Sequence, residues 1–138
     1  MLKLEVEVEA MKPEPQNDDT FEKLAVWQRA HALSIDVYVL LTACKDWGFK
    51  DQITRSANSV ADNIAEGAER IGPAEFRQFL SYAKGSAGEA RSQVLRACAL
   101  GYISADDSRR LVAELKEISR MIYGLIRSLA REPEPPST

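Results

Sequence analysis

Leu111, Leu115, Ile118, Ile122, Leu125 and Leu129 recur at spacings of 4, 3, 4, 3 and 4. That alternation follows one side of a helix and cannot line one face of a strand, whose side chains alternate with a period of two. Val112, Ser119 and Ile126 widen the stripe in heptad steps, the pattern of left-handed packing between helices. Ser104-Ala105-Asp106-Asp107 precedes it as a capping box, with aspartate where glutamate is preferred, and Pro133, Pro135 and Pro136 end it.

Three more helices are predicted. The first runs from Phe21 to about Ala43, with Val26, Ala30, Leu33, Val37, Leu40 and Cys44 on one stripe. Leu24, Trp27, His31, Ser34, Tyr38 and Leu41 form a second, so this helix has a broad buried face. Gly48 falls in the predicted turn, flanked by Trp47 and Phe49 as lids on the bundle end. The next helix starts at Lys50 or Asp51, ends near Ala68 and places Ile53, Ala57, Val60, Ile64 and Ala68 on one face. Pro73 opens the third, since its missing N–H forfeits no helical bond there, and Gly101 follows it as the C′ residue. Phe76, Leu80, Ala83, Ala87, Ala90, Val94 and Ala97 form its stripe. Gly85 and Gly88 inside this helix cost roughly 1 kcal/mol each relative to alanine, which predicts compensation by close approach of another backbone. The fold class is therefore all-α, an up-down-up-down four-helix bundle spanning residues 20–131, with arms 1–19 and 132–138 outside it.

Charge is unevenly placed along the chain. Met1–Asp19 sets Lys3 and Lys12 against Glu5, Glu7, Glu9, Glu14, Asp18 and Asp19, a net of −4. Residues 20–131 carry 16 Lys and Arg against 13 Asp and Glu. The overall net charge of −3 thus conceals a mildly basic body. Such an imbalance binds phosphate only if the cations gather on one surface, which an oligomer can achieve. Leu2, Leu4, Val6 and Val8 alternate with Lys3, Glu5, Glu7 and Glu9, a strand-like pattern that needs a partner sheet, a swap or freedom to fray. An acidic arm can also mask a basic body.

No apolar run approaches membrane-spanning length, and the N-terminus lacks the basic and apolar regions of a secretion signal, so the expectation is cytoplasmic. Cys44 and Cys98 read as buried free thiols on apolar stripes. His31 is the sole histidine and lies on a packing stripe. No nucleophile with a base, metal-ligand cluster or phosphate loop accompanies it, so neither an enzyme, a cofactor nor a metal site is expected.

The second helix carries a polar pattern that a bundle does not require. Gln52, Arg55, Ser59, Asn63, Glu66 and Arg70 occupy an arc of about 80° that flanks the apolar stripe. Polar side chains at a core boundary can close one packing arrangement, meet a second subunit or bind an external group. Asn63 and Glu66 are expected to connect to the third helix through Ser86 or Glu89, with Arg55 or Arg70 bridging the carboxylates and Gly67 permitting close approach.

Phe21-Glu22-Lys23-Leu24-Ala25-Val26-Trp27-Gln28, Asp51-Gln52-Ile53-Thr54-Arg55-Ser56-Ala57 and Asp62-Asn63-Ile64-Ala65-Glu66-Gly67 follow one another in this order. Glu75-Phe76-Arg77-Gln78-Phe79-Leu80, Lys84-Gly85-Ser86-Ala87-Gly88-Glu89 and Leu100-Gly101-Tyr102-Ile103 come after them. With these motifs the chain resembles the bacterial four-helix proteins encoded in intervening sequences of large-subunit ribosomal RNA genes. It is more distantly similar to the accessory variability proteins of retroelements. The resemblance implies self-association, as a pentamer, and a non-enzymatic scaffold or adaptor that binds a protein or ribonucleoprotein. The alternative is an RNA- or DNA-binding accessory protein, with Arg55, Arg70, Arg77, Lys84, Arg91 and Arg96 as its candidate contacts.

Overall fold

The computed structural model describes residues 20–131, so the readings of the 1–19 and 132–138 arms lie outside the described residues. A 3-10 turn, Phe21–Lys23, leads into α1 (Ala25–Leu40), α2 (Trp47–Ala68), α3 (Pro73–Ala99) and α4 (Ala105–Ala130). Among the described residues there is no strand. Each helix packs against its neighbours in sequence, and α4 returns to α1, which gives an all-α four-helix bundle.

The apolar stripes meet in one core. Ala30, Leu33 and Val37 of α1 join Ile53, Ala57, Val60 and Ile64 of α2. Leu80, Ala83, Ala87, Ala90, Val94 and Ala97 of α3 and Leu111, Leu115, Ile118 and Ile122 of α4 complete it. Cys44 and Cys98 are free and half-buried, less enclosed than the sequence suggested. His31 stacks on Trp27, ring centroids 4.8 Å apart, as a packed histidine.

Helix ends explain most departures from the predicted boundaries. Phe21 does not begin a continuous helix, because Leu24 is extended (φ −71°, ψ 122°) and separates the short turn from α1. At the other end, the Thr42 hydroxyl donates to the carbonyls of Tyr38 and Val39, and the helix stops at Leu40. α2 starts at Trp47, earlier than predicted, since the Asp46 carboxylate accepts the Phe49 N–H at 3.2 Å. Gly48 is therefore helical and Trp47 is no lid, being 68% exposed with the Lys50 ammonium over its ring. Phe49 does pack across the end, edge-on to Tyr102 at 5.4 Å.

The connection after α3 closes as a Schellman motif. Tyr102 N–H reaches Ala97 O at 2.8 Å, Gly101 N–H reaches Cys98 O at 3.0 Å, and Gly101 has φ +77°. Ser104 caps α4 by accepting the Asp107 N–H at 3.0 Å. Gly85 and Gly88 overturn the expected close approach: a Cβ at either would meet nothing within 4 Å, because both lie on the outer surface.

Two connections are tied at one end, where the Tyr102 hydroxyl donates to Asp46 Oδ2 at 2.6 Å. That bond, with the Phe49 N–H second, holds the Asp46 carboxyl below its ordinary value of 3.8, against a small opposing effect of burial. A depressed folded-state pKa gives stability that is present above the unfolded value and lost as pH falls through the folded one. The melting-temperature advantage of wild type over Asp46→Asn is expected to hold at neutral pH and shrink below about 3.8. Thermal melts across that range check it; a gap independent of pH would show that charge is irrelevant to this cap.

Candidate nucleic-acid interface

The polar stripe of α2 divides when its partners are traced. Asn63 Nδ2 donates to Ser59 O at 2.8 Å and to Ser59 Oγ at 2.9 Å. The Ser59 hydroxyl, which receives that amide, also shares a hydrogen bond with Ser86 Oγ at 2.9 Å, linking α2 to α3. Glu89 is held by Ser56 Oγ at 3.2 Å, a residue outside the predicted stripe. Ser56 sits one turn before Ser59 and is buried, which its small size and boundary position could have signalled.

Glu66 does not join this connection. It pairs with Arg70 on the same helix at 2.6 Å, both side chains about half exposed. Arg55 is likewise taken by Asp51 at 3.0 Å, so neither arginine bridges two carboxylates across helices. The reason is local: a partner four residues away is reached without crossing to α3. Gln52 is exposed and contributes its carbonyl, which accepts from Ser56 Oγ. Gly67 does meet α3 closely, with an ideal Cβ falling 2.8 Å from Phe79 Cβ.

The six candidate cations also separate. Arg55 lies on the outside of α2, and the Arg70 guanidinium, just past its end, covers the Phe79 ring at 4.9 Å. Arg77 Nη1 donates to Leu129 O at 3.2 Å, and Arg96 is exposed in the last turn of α3. Lys84 and Arg91, in contrast, come together with Lys116, Ser119, Arg120 and Tyr123 along an open groove of about 400 Å³ between α3 and α4.

Two helical periods build this groove. Lys84, Gly88, Arg91 and Leu95 share one side of α3, while Lys116, Arg120, Tyr123 and Arg127 share one side of α4. None of the lining residues is a carboxylate. Glu117 approaches from the flank, accepting Arg120 Nε at 2.8 Å, and this bond holds its carboxyl below the usual range. The Arg127 guanidinium lies 5.9 Å from the Tyr123 ring and extends the cationic edge. Gly88, between Lys84 and Arg91, leaves the helix backbone uncovered, so an extended chain can approach it closely. Lys116, Arg120, Tyr123 and Arg127 went unselected in the sequence, although their 4, 3, 4 spacing opposite the apolar stripe is visible there.

The neighbouring α1–α4 cleft, about 590 Å³, makes a useful contrast. There Arg29 Nε meets Glu114 Oε1 at 2.7 Å and Arg110 pairs with Asp36, so each cation is answered across the cleft. Among the described residues, no group of three or more His, Cys, Asp or Glu is placed to hold a metal ion. Nor is any helix among them long and apolar enough to cross a membrane.

Comparison with known proteins agrees with this architecture. A crystal structure of a protein of unknown function from the S23 ribosomal protein family of Bacteroides thetaiotaomicron VPI-5482 superposes with a TM-score of 0.70 at 21% identity. The match covers 75% of this chain and 99% of that one, and establishes likeness of fold. No curated protein matches the chain. The model of the family described as 23S rRNA-intervening sequence protein matches residues 22–124, and the chain belongs to that family.

Proposed function

We propose that this protein is a non-enzymatic, cytoplasmic adaptor that self-associates and holds a ribonucleoprotein by the phosphates of its RNA. The observation that carries this reading is the α3–α4 groove, where Lys84, Arg91, Lys116 and Arg120 gather without a carboxylate in the lining. Four cations on one open surface suit a phosphate backbone, and Tyr123 offers a ring on which an unpaired base can stack. The family's name associates its members with ribosomal RNA sequence, which favours RNA over other polyanions.

An up-down-up-down course with left-handed packing accounts for the side-chain pairings. Early α1 meets later α4 in Arg29–Glu114, while later α1 meets earlier α4 in Asp36–Arg110. The same reversal relates α2 to α3 in Ser56–Glu89 and Ser59–Ser86. Heptad-spaced Val112, Ser119 and Ile126 favour the left-handed sense. A ring of copies, a pentamer by resemblance, would repeat the groove and multiply its field.

The test compares wild type with Lys84→Glu/Arg91→Glu by fluorescence anisotropy on a short labelled single-stranded RNA. With Arg120 already paired to Glu117, three phosphate contacts predict a log-affinity against log-salt slope of roughly −2 for wild type, and a loss of about 100-fold in low-salt affinity for the variant. Sedimentation of the same samples reads assembly. Equal binding by both chains would remove the groove from the function, and a concentration-independent monomer would remove self-association.

A further inference from the structure

We propose that the acidic segment 1–19 is an intramolecular competitor for the α3–α4 groove, displaced when RNA phosphates arrive; this rests on the groove being the RNA site. Charge is the first argument. The segment carries Glu5, Glu7, Glu9, Glu14, Asp18 and Asp19 against Lys3 and Lys12, whereas the groove is lined by Lys84, Arg91, Lys116 and Arg120. In the groove Arg120 is already paired with Glu117, which leaves Lys84, Arg91 and Lys116 to answer the segment, whereas both arginines of the α1–α4 cleft, Arg29 and Arg110, are taken by Glu114 and Asp36.

Pattern is the second argument. In an extended chain, residues two apart share a side, which would set Glu5, Glu7 and Glu9 opposite Leu2, Leu4, Val6 and Val8. The groove surface is matched to such a segment. It combines its cations with Tyr123, 52% exposed, while Leu95, 55% exposed, stands outside the lining, one turn past Arg91 on the same side of α3. A purely hydrated acidic tail has no use for the four aliphatic residues, and a purely electrostatic groove has none for an exposed Tyr123 ring.

The point of attachment is the third. Arg29, the fifth residue of α1, lies beside Glu114, the tenth of α4. Thr20 enters at the α1 end of the bundle, ahead of the Phe21–Lys23 turn and the extended Leu24, and that turn packs against α1 and α2. Nineteen residues reach at most roughly 65 Å, well beyond the girth of a helix pair of about 20 Å. Tethering at such range gives an effective concentration in the millimolar regime, so a contact too weak to matter between molecules is populated within one.

The experiment uses the full chain and its Glu5→Gln/Glu7→Gln/Glu9→Gln variant, which leaves the bundle sequence intact. Two-dimensional NMR without RNA should show amide shift differences between the two chains at Lys84, Arg91, Lys116 and Arg120. Anisotropy on the short labelled RNA should show the variant binding about tenfold tighter at low salt, the advantage fading as screening shortens to about 3 Å at 1 M. Shift differences at the groove with no RNA binding by either chain would support the intramolecular contact and discard the RNA reading. Equal RNA affinity, with no shift difference at these four residues, would overturn the competitor and leave the RNA site standing.

Discussion

Gly67→Leu is expected to lower the unfolding free energy by about 3 kcal/mol, as extra side-chain volume forced into a filled contact does. Even the first added atom has no room. An ideal Cβ at position 67 falls 2.8 Å from Phe79 Cβ, 3.0 Å from Phe76 Cδ1 and 3.3 Å from Phe76 O. Phe79 Cβ is the root of its side chain and Phe76 O is backbone, so neither can swing aside; α2 and α3 must separate. Gly85→Ala is the matched control, because its Cβ would meet nothing within 4 Å. Removing a helical glycine there should stabilise by roughly 1 kcal/mol. Urea midpoints at constant slope read both changes. Equal gains from Gly67→Ala and Gly85→Ala would show that the α2–α3 contact is looser than these distances state.

Those two glycines also show where a reading by residue type alone runs out. Both stand inside helical periods, yet Gly67 faces Phe76 and Phe79 while Gly85 faces outward. Residue type is identical in the two cases; register to the apolar stripe separates them, Gly67 following Ile64 by three residues and Gly85 falling between Ala83 and Ala87. The α4 stripe was legible because six residues at 4/3 spacing overdetermine one face, and its first four are buried. The start of α2 was not, since a glycine after a short polar stretch resembles a turn until Asp46 is seen to cap it.

The groove was half legible for a related reason. Periodicity placed Lys84 and Arg91 on α3 correctly, but a groove belongs to two helices. Its other wall, Lys116, Arg120 and Tyr123, depends on the register between α3 and α4, which no single-helix pattern contains. Glu66 failed in the opposite direction. Its helix face was right, but Arg70 one turn away satisfied it before α3 could.

Ile118→Ala separates stability from binding and is the second large effect expected. Ile118 is 0% exposed near the middle of α4, and its truncation leaves a cavity in addition to losing buried methyl groups. Such changes cost about 2–5 kcal/mol, and the upper part of that range applies here. The α3 side of the core is mostly alanine, Ala83, Ala87, Ala90 and Ala97 beside Leu80 and Val94, so few of its side chains are long enough to turn into the void. A loss of that size is a large share of the roughly 5–15 kcal/mol that holds a domain folded, so the urea midpoint should fall far. Lys116 and Arg120 flank Ile118 in sequence but point to the groove. In conditions where Ile118→Ala remains folded, its RNA affinity should therefore equal that of wild type. Lys84→Glu/Arg91→Glu should do the reverse, keeping the midpoint and losing the RNA. If the core variant, still folded by circular dichroism, lost RNA binding as fully as the charge-reversed one, the cations alone would not define the site. Binding would then depend on the spacing of α3 and α4 that the core sets.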